Sequence, residues 1–267
     1  MDMTQHDFDE FRAIIYNKSG ITLGKGKEAL VGARVGKRMR RLGIEDFGSY
    51  LDWVKGEGGE EEMTQLLDAI STNTTSFFRE SAHFDFIREV MARWVGEGQR
   101  RFRIWSAASS TGEEPYTLAM TLRDCLPPDA TDIRILATDI STRVLEAARA
   151  GVYAPGKMES LPPGYLGRFF NRLPSGEYEA RAELKRILHF TRLNLSTPPF
   201  PMKGPMDIIL CRNVMIYFDN AVRTRLIAEF HRLLRPGGYL LVGHSESLTG
   251  LTTEFQSLRP SMYRKDT

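Results

Sequence analysis

Residues 102–125 read FRIWSAASSTGEEPYTLAMTLRDC. Phe102-Arg-Ile-Trp-Ser106 reads as a short strand, and Glu113 to Cys125 carries the spacing of a helix. Between them lie only small residues, Ala107 to Gly112. Small residues there let backbone come close to a ligand at a helix N-terminus. A nucleotide-phosphate loop in this place would carry GxGxxG or GxxxxGKS/T, and neither occurs. Two carboxylates, Glu113 and Glu114, start the helix instead. They would repel a pyrophosphate and attract a cationic ligand. S-adenosylmethionine, with an α-ammonium and a sulfonium, is such a ligand. Both glutamates also fit as charges that complement the helix dipole.

The strand–helix alternation continues downstream. Ile133–Asp139, Leu188–Leu193, Met206–Cys211 and Tyr239–Gly243 read as strands. Thr142–Ala150 and Asn220–Leu234 read as helices, the second closed by Arg235-Pro-Gly-Gly238, and His83–Val95 is an amphipathic helix before the first strand. This order implies a mainly parallel sheet covered on both faces, a Rossmann-like α/β domain over residues 82–267. One stretch breaks the pattern. Residues 157–190 are long for a crossover and contain the turn signal Leu173-Pro-Ser-Gly-Glu-Tyr. A small inserted β-subdomain is expected there. The tail from Phe255 to Arg264 could add a hairpin at the sheet edge.

Upstream the signal changes. Residues 1–70 hold four helical patterns and no strand, so a small all-α domain precedes the α/β domain. Asn17-Lys18-Ser19-Gly20 reads as a stop, and Gly43 as a C-terminal cap. The second helix ends in a basic cluster, Arg34, Lys37, Arg38, Arg40 and Arg41. Residues 71–81 read as the linker.

Composition limits the function classes. The chain has 267 residues, 42% hydrophobic and 26% charged, which suits folded domains rather than disorder. Its 36 basic and 34 acidic residues leave a net charge of +2, so global charge does not point to nucleic acid. Cys125 and Cys211 are far apart, with no CxxC spacing, so neither a disulfide framework nor a zinc site is expected. MDMTQHDFDEF is acidic and polar, unlike a signal peptide, and no apolar run of about 18 residues exists to span a membrane. The simplest placement is cytoplasmic, and a monomer is the default.

The strand ends carry the candidate site. Asp139 closes the second strand, where a doubly wound fold grips ribose hydroxyls, though Asp139 or Ser141 also fits as an N-cap. Asn194-Leu195 follows the third strand and can reach an adenine edge, or Asn194 is a turn asparagine. Arg212 and Asn213 follow the fourth strand, at the crevice of an open sheet. Tyr217 lies either near the reacting centre or in the core.

STNTTSFFRE, IWSAASSTGEEPYTLA, ATDIS, CRNVMIYF and RPGGYLLVGHSES, behind a basic helical domain, resemble the CheR chemotaxis methyltransferases. The motifs occur in the family's order and span nearly the whole chain. The resemblance implies an all-α receptor-docking domain, a class I methyltransferase domain with a β-subdomain, and S-adenosylmethionine as cofactor with S-adenosylhomocysteine as product. It implies cofactor contacts at Asn73, Thr75, Arg79, Glu114, Asp139, Asn194, Leu195, Arg212 and Asn213. It puts Arg79 and Tyr217 closest to the transferred methyl. The implied activity is a protein-glutamate O-methyltransferase acting on the coiled-coil domain of chemoreceptors, with the basic cluster docking on it. Some members bind a receptor pentapeptide through the β-subdomain. The shorter turn at Leu173–Tyr178, without glycine-rich character, suggests independence of it. A methyltransferase with another acceptor is the nearest rival, because Thr197-Pro-Pro-Phe200 looks like an N-methyltransferase motif, but it follows the third strand rather than the fourth. A non-catalytic S-adenosylmethionine sensor is the other.

Overall fold

The structure is a computed structural model, and it describes residues 3–126, 132–251 and 253–266. Four helices come first: α1 (Gln5–Ser19), α2 (Glu28–Leu42), α3 (Phe47–Lys55) and α4 (Glu60–Ile70). Thr4 starts α1 with a capping box. Its hydroxyl accepts from the Asp7 N–H at 3.1 Å, and Asp7 accepts from the Thr4 N–H at 3.0 Å. Gly20 and Gly43 end α1 and α2 in the left-handed region, at φ 72° and 71°. Phe8, Phe11, Val31, Tyr50 and Leu66 are fully buried between these helices. A buried polar pair sits beside them. Arg38 donates to Glu62 at 2.9 and 2.5 Å, and the Tyr50 hydroxyl donates to the same carboxylate at 2.6 Å.

After α5 (Ala82–Gly96) the alternation begins with β1 (Arg101–Ser106), α6 (Glu113–Cys125), β2 (Asp132–Asp139) and α7 (Thr142–Ala150). The insertion follows: β3 (Val152–Tyr153), a 3₁₀ turn (Pro155–Ser160), α8 (Tyr165–Phe169), β4 (Phe170–Arg172), β5 (Tyr178–Ala180) and α9 (Ala182–Lys185). The main domain resumes with β6 (Leu188–Arg192), β7 (Met206–Cys211), a 3₁₀ turn (Met215–Tyr217), α10 (Asn220–Leu233), β8 (Leu234–Val242), β9 (Phe255–Arg259) and β10 (Met262–Lys265).

The large sheet has seven strands in the order β6-β2-β1-β7-β8-β10-β9. The first five neighbours pair parallel, and β10 is antiparallel to both β8 and β9. The order reverses between β1 and β7, and a doubly wound sheet opens its ligand crevice at that point. The central strands are buried on both faces, with Ile104, Ile208 and Leu210 in one core and Trp105, Ile209 and Leu240 in the other. The fold expected from sequence, an all-α domain before a Rossmann-like domain with a β-insertion, is the fold observed.

Two readings needed adjustment. The insertion is a three-stranded antiparallel sheet, β3-β5-β4, and it opens at Val152 rather than at residue 157. Arg235-Pro-Gly-Gly238 does not close a helix ahead of β8 but lies inside that strand. Gly237 sits at φ 72°, and the β7–β8 register shifts between Met206 and Ile208, so the turn signal is spent on an irregularity in the ladder.

The two domains are tied directly. Ile21 forms an antiparallel bridge with Phe218, and the Thr22 N–H donates to the Tyr217 carbonyl at 2.8 Å. The Tyr16 hydroxyl donates to Asp219 at 2.6 Å. Asp68 of α4 caps α7, accepting from the Thr142 and Arg143 N–H groups at 3.1 and 3.3 Å. Gly20 permits this approach, since a Cβ there would lie 2.5 Å from Ser196 Cβ.

Candidate active site

A cleft opens at the carboxyl ends of β1, β2, β6 and β7, and the first helices and the 71–79 segment wall its other side. Asn73, Thr75, Arg79, Glu114, Asp139, Asn194, Leu195, Arg212, Asn213 and Tyr217 all line it. The topology thus gathers residues spread over 145 positions, from 73 to 217.

Arg212 organises the floor. It is buried at 6% exposure, between two carboxylates. Its Nη1 donates to Glu114 at 2.8 Å and its Nη2 to Glu80 at 3.0 Å, with a further bond to the Arg79 carbonyl. Glu114 also accepts from the Ser106 hydroxyl at 2.7 Å. Burial alone would raise the Glu80 carboxyl, but the Arg212 charge and hydrogen bonds outweigh it and hold Glu80 below the usual carboxylate range. The two first-turn glutamates therefore separate. Glu114 faces the cleft, whereas Glu113 turns the other way, to Lys157 of the insertion at 2.7 Å and to Thr111 at 2.6 Å.

Asp139 is held by the Ser110 N–H at 2.8 Å and the Ser141 N–H at 3.0 Å. Burial pushes its carboxyl up, against these backbone donors. The N-cap role falls to Ser141, which accepts from the Val144 N–H, so Asp139 remains on the cleft wall. Asn194 is committed in part: its Nδ2 donates to the Lys18 carbonyl at 2.8 Å and its Oδ1 accepts from Ser196. Leu195 offers an apolar surface. Asn73 lines the cleft with a buried Nδ2 that has no hydrogen-bond partner among the described residues. A buried donor of this kind is open to an acceptor such as a bound ligand or an ordered water.

The Arg79 guanidinium makes one hydrogen bond among the described residues, to the Thr74 carbonyl at 2.9 Å. Tyr217 also lines the cleft, and its hydroxyl has no hydrogen-bond partner among them. Glu80, His83 and His244 lie close enough to hold a metal ion, but the Arg212 guanidinium already sits on Glu80 and opposes a second cation. Burial, with help from Arg212, pushes His83 down to about 4. Thr197-Pro-Pro-Phe200 does not enter the cleft. Phe200 is buried against Trp105 at 5.6 Å.

The five basic residues of α2 do not form one free surface. Arg34 donates to the Ile70 carbonyl and Arg38 is paired with Glu62, whereas Lys37, Arg40 and Arg41 are exposed. Sequence reasoning also passed over Glu80 and Glu246. Glu80 adjoins Arg79 in FFRE, and a carboxylate beside the arginine was the signal available. Glu246 sits in HSES and is 5% exposed, which no local pattern foretells.

An open sheet with this order, a small-residue first loop, an acid closing the second strand and carboxylates at the switch point define an S-adenosylmethionine-dependent methyltransferase. The orphaned Asn73 amide and the paired floor of Glu114 and Arg212 fit a zwitterionic, ribose-bearing cofactor. Residues 73–263 match the family description "CheR methyltransferase, SAM binding domain", and residues 6–71 match "CheR methyltransferase, all-alpha domain". The chemotaxis protein methyltransferase of Salmonella typhimurium is 40% identical over 94% of this chain and 86% of its own length. That of Escherichia coli is 39% identical over 96% and 89%, and that of Borreliella burgdorferi 35% identical over 100% and 96%. The chain belongs to the CheR methyltransferase family.

Proposed function

We propose that this protein methylates glutamate side chains on the cytoplasmic coiled-coil region of bacterial chemoreceptors, giving glutamate methyl esters and S-adenosylhomocysteine for sensory adaptation. When bound, S-adenosylmethionine supplies an electrophilic methyl on sulfur. A glutamate side chain has an ordinary pKa of about 4.3, so it is ionised near neutral pH and needs no general base. The protein's task is then alignment and exclusion of water, down to an attack distance of about 3–3.5 Å.

The reading rests chiefly on one observation. Among the described residues, the cleft's own charged floor is already paired, whereas Arg79 and Tyr217 line the cleft, the Arg79 guanidinium with a single hydrogen bond and the Tyr217 hydroxyl with none. Arg79 would steer the incoming carboxylate or brace the cofactor carboxylate, and Tyr217 would orient the attacking oxygen. Asp139, Asn194, Leu195 and Asn73 would hold ribose and adenine, with Glu114 near the α-ammonium. Lys37, Arg40 and Arg41 offer the exposed positive surface for an acidic receptor. The enzyme acts as a cytoplasmic monomer in this reading.

Independence of a receptor pentapeptide belongs to the same proposal. The Leu173–Glu177 turn is closed by the Leu173 N–H on the Glu177 carbonyl at 2.8 Å, and the edge strand β4 has only three residues to template an added strand. Titration calorimetry with such a peptide should give no binding heat, and tight binding would reverse this part.

The test is transfer of radiolabelled methyl to membranes bearing chemoreceptors from the source organism. Base-labile label on receptor bands, released as methanol, is the expected result. Cofactor binding with no labelled receptor would favour a sensing module. Tyr217→Phe and Arg79→Ala should each lower kcat, and wild-type turnover in either would remove that residue's role.

A further inference from the structure

Glu246 lies outside the cleft lining, yet its side chain holds the loop that carries the cleft's reactive edge. Glu246 Oε2 accepts from the N–H groups of Asn213 and Gly243, both at 2.7 Å. Oε1 accepts from Val214 at 2.9 Å and Ile216 at 3.2 Å. Four backbone donors from two strand ends thus converge on one carboxylate. Three of them belong to the 212–217 loop, which leaves β7 through Asn213 at φ 58° and winds into the 3₁₀ turn of Tyr217. A turn of this shape aims successive N–H groups inward, toward a common acceptor.

We propose that Glu246 is a positioning residue for methyl transfer: its carboxylate fills the N–H cradle of the 213–216 loop and so fixes Tyr217 over the cleft. The proposal rests on the role of the cleft set out under the proposed function. Tyr217 is held from two sides. Glu246 anchors the preceding Ile216 N–H, and the Thr22 N–H anchors the Tyr217 carbonyl. The same loop starts with Arg212, whose guanidinium must reach Glu80 and Glu114. Asn213, the next residue, donates its side chain to Glu80 at 3.3 Å. Gly243 completes the cradle because nothing larger fits. A Cβ there would lie 2.6 Å from Asn213 Nδ2 and 2.7 Å from Glu246 Oε2.

Glu246→Gln discriminates this role because it keeps size and shape but changes half of the acceptor into a donor. With the amide nitrogen at the Oε2 place, Asn213 and Gly243 lose their acceptor; flipped, Val214 and Ile216 lose theirs. The loop must shift in either case, and a displacement of about 1 Å at a reacting group costs on the order of 100-fold in rate.

The experiment measures receptor methylation by Glu246→Gln, well below its unfolding temperature, as kcat and receptor KM separately. The expected result is a 30- to 100-fold loss (on the order of that 1 Å cost) in kcat with receptor KM within about threefold. A residue that only stabilises the fold would lower Tm and leave kcat per folded molecule unchanged, and that result overturns the proposal. Gly243→Ala supplies a second variant that disturbs the cradle without altering the carboxylate, and it should show the same kcat loss. Wild-type kcat in a folded Gly243→Ala enzyme also overturns the proposal. A cycle with Tyr217→Phe separates the two ideas. If Glu246 acts by placing Tyr217, the double variant is little worse than the poorer single one. Fully multiplicative losses refute the placement of Tyr217 by Glu246. An unchanged rate in Tyr217→Phe alone refutes the tyrosine's role, while the kcat of Glu246→Gln still decides whether the loop is positioned by Glu246.

Discussion

Replacing Arg212 by methionine tests the charged floor of the cleft. Arg212 is enclosed by Glu80 and Glu114, and its side chain is 2% exposed against 13% and 11% for theirs. Methionine keeps the length and removes the charge. Glu114 then retains the Ser106 hydroxyl, and Glu80 retains the His244 N–H at 3.2 Å and Asn213 at 3.3 Å. Neither retained set neutralises a buried negative charge. Breaking such a pair costs about 3–5 kcal/mol at neutral pH. At roughly 2–4 °C per kcal/mol for a chain of this size, Tm should fall by about 10 °C.

The pH dependence fixes the sign. Burial pushes Glu80 up, and Arg212 pulls it down and wins, so the folded wild type binds the proton less readily than the unfolded chain. That stability is present above the unfolded pKa and is lost only as pH falls through the lowered folded value. In the variant the pull is gone and the upward push of burial remains. Its Glu80 takes up a proton at higher pH, which relieves the unpaired charge. The stability gap between the two proteins should therefore narrow between pH 8 and pH 5. Urea unfolding at both values measures it. A gap that does not change with pH, or a loss under about 1 kcal/mol, would refute the charge argument.

Three further variants probe other parts. Asp139→Asn should weaken S-adenosylmethionine binding about 10- to 100-fold, the worth of a charged hydrogen bond, read by calorimetry; wild-type affinity should also decline as pH falls through the raised Asp139 pKa, and equal affinity in the variant would remove its ribose role. Lys37→Glu with Arg41→Glu should raise receptor KM and flatten its salt dependence while cofactor affinity stays put. Arg38→Glu, by contrast, should unfold the helical domain, because Arg38 is paired with buried Glu62.

The class of fold is written in residues 102–125 and in what repeats after them. Strand and helix periodicity are local, and so are the small residues between Ser106 and Glu113. The stops at Gly20 and Gly43 were equally readable, because a left-handed cap favours glycine whatever packs around it. Most cleft residues were legible for a related reason: in a doubly wound sheet the functional positions follow strand ends, and strand ends show in sequence. Direction was not legible. Glu113 and Glu114 are adjacent in the same first turn, and only the packing of α6 between sheet and insertion sends one to Lys157 and the other to Arg212. The basic helix α2 posed the same difficulty. A run of arginines shows charge, but its partners lie 24 and 36 residues away, at Glu62 and Ile70. Glu246 is the extreme case. Nothing near it in the chain announces that four N–H groups from the segments just after β7 and β8 will converge on it, because that cradle exists only once the two strands lie side by side.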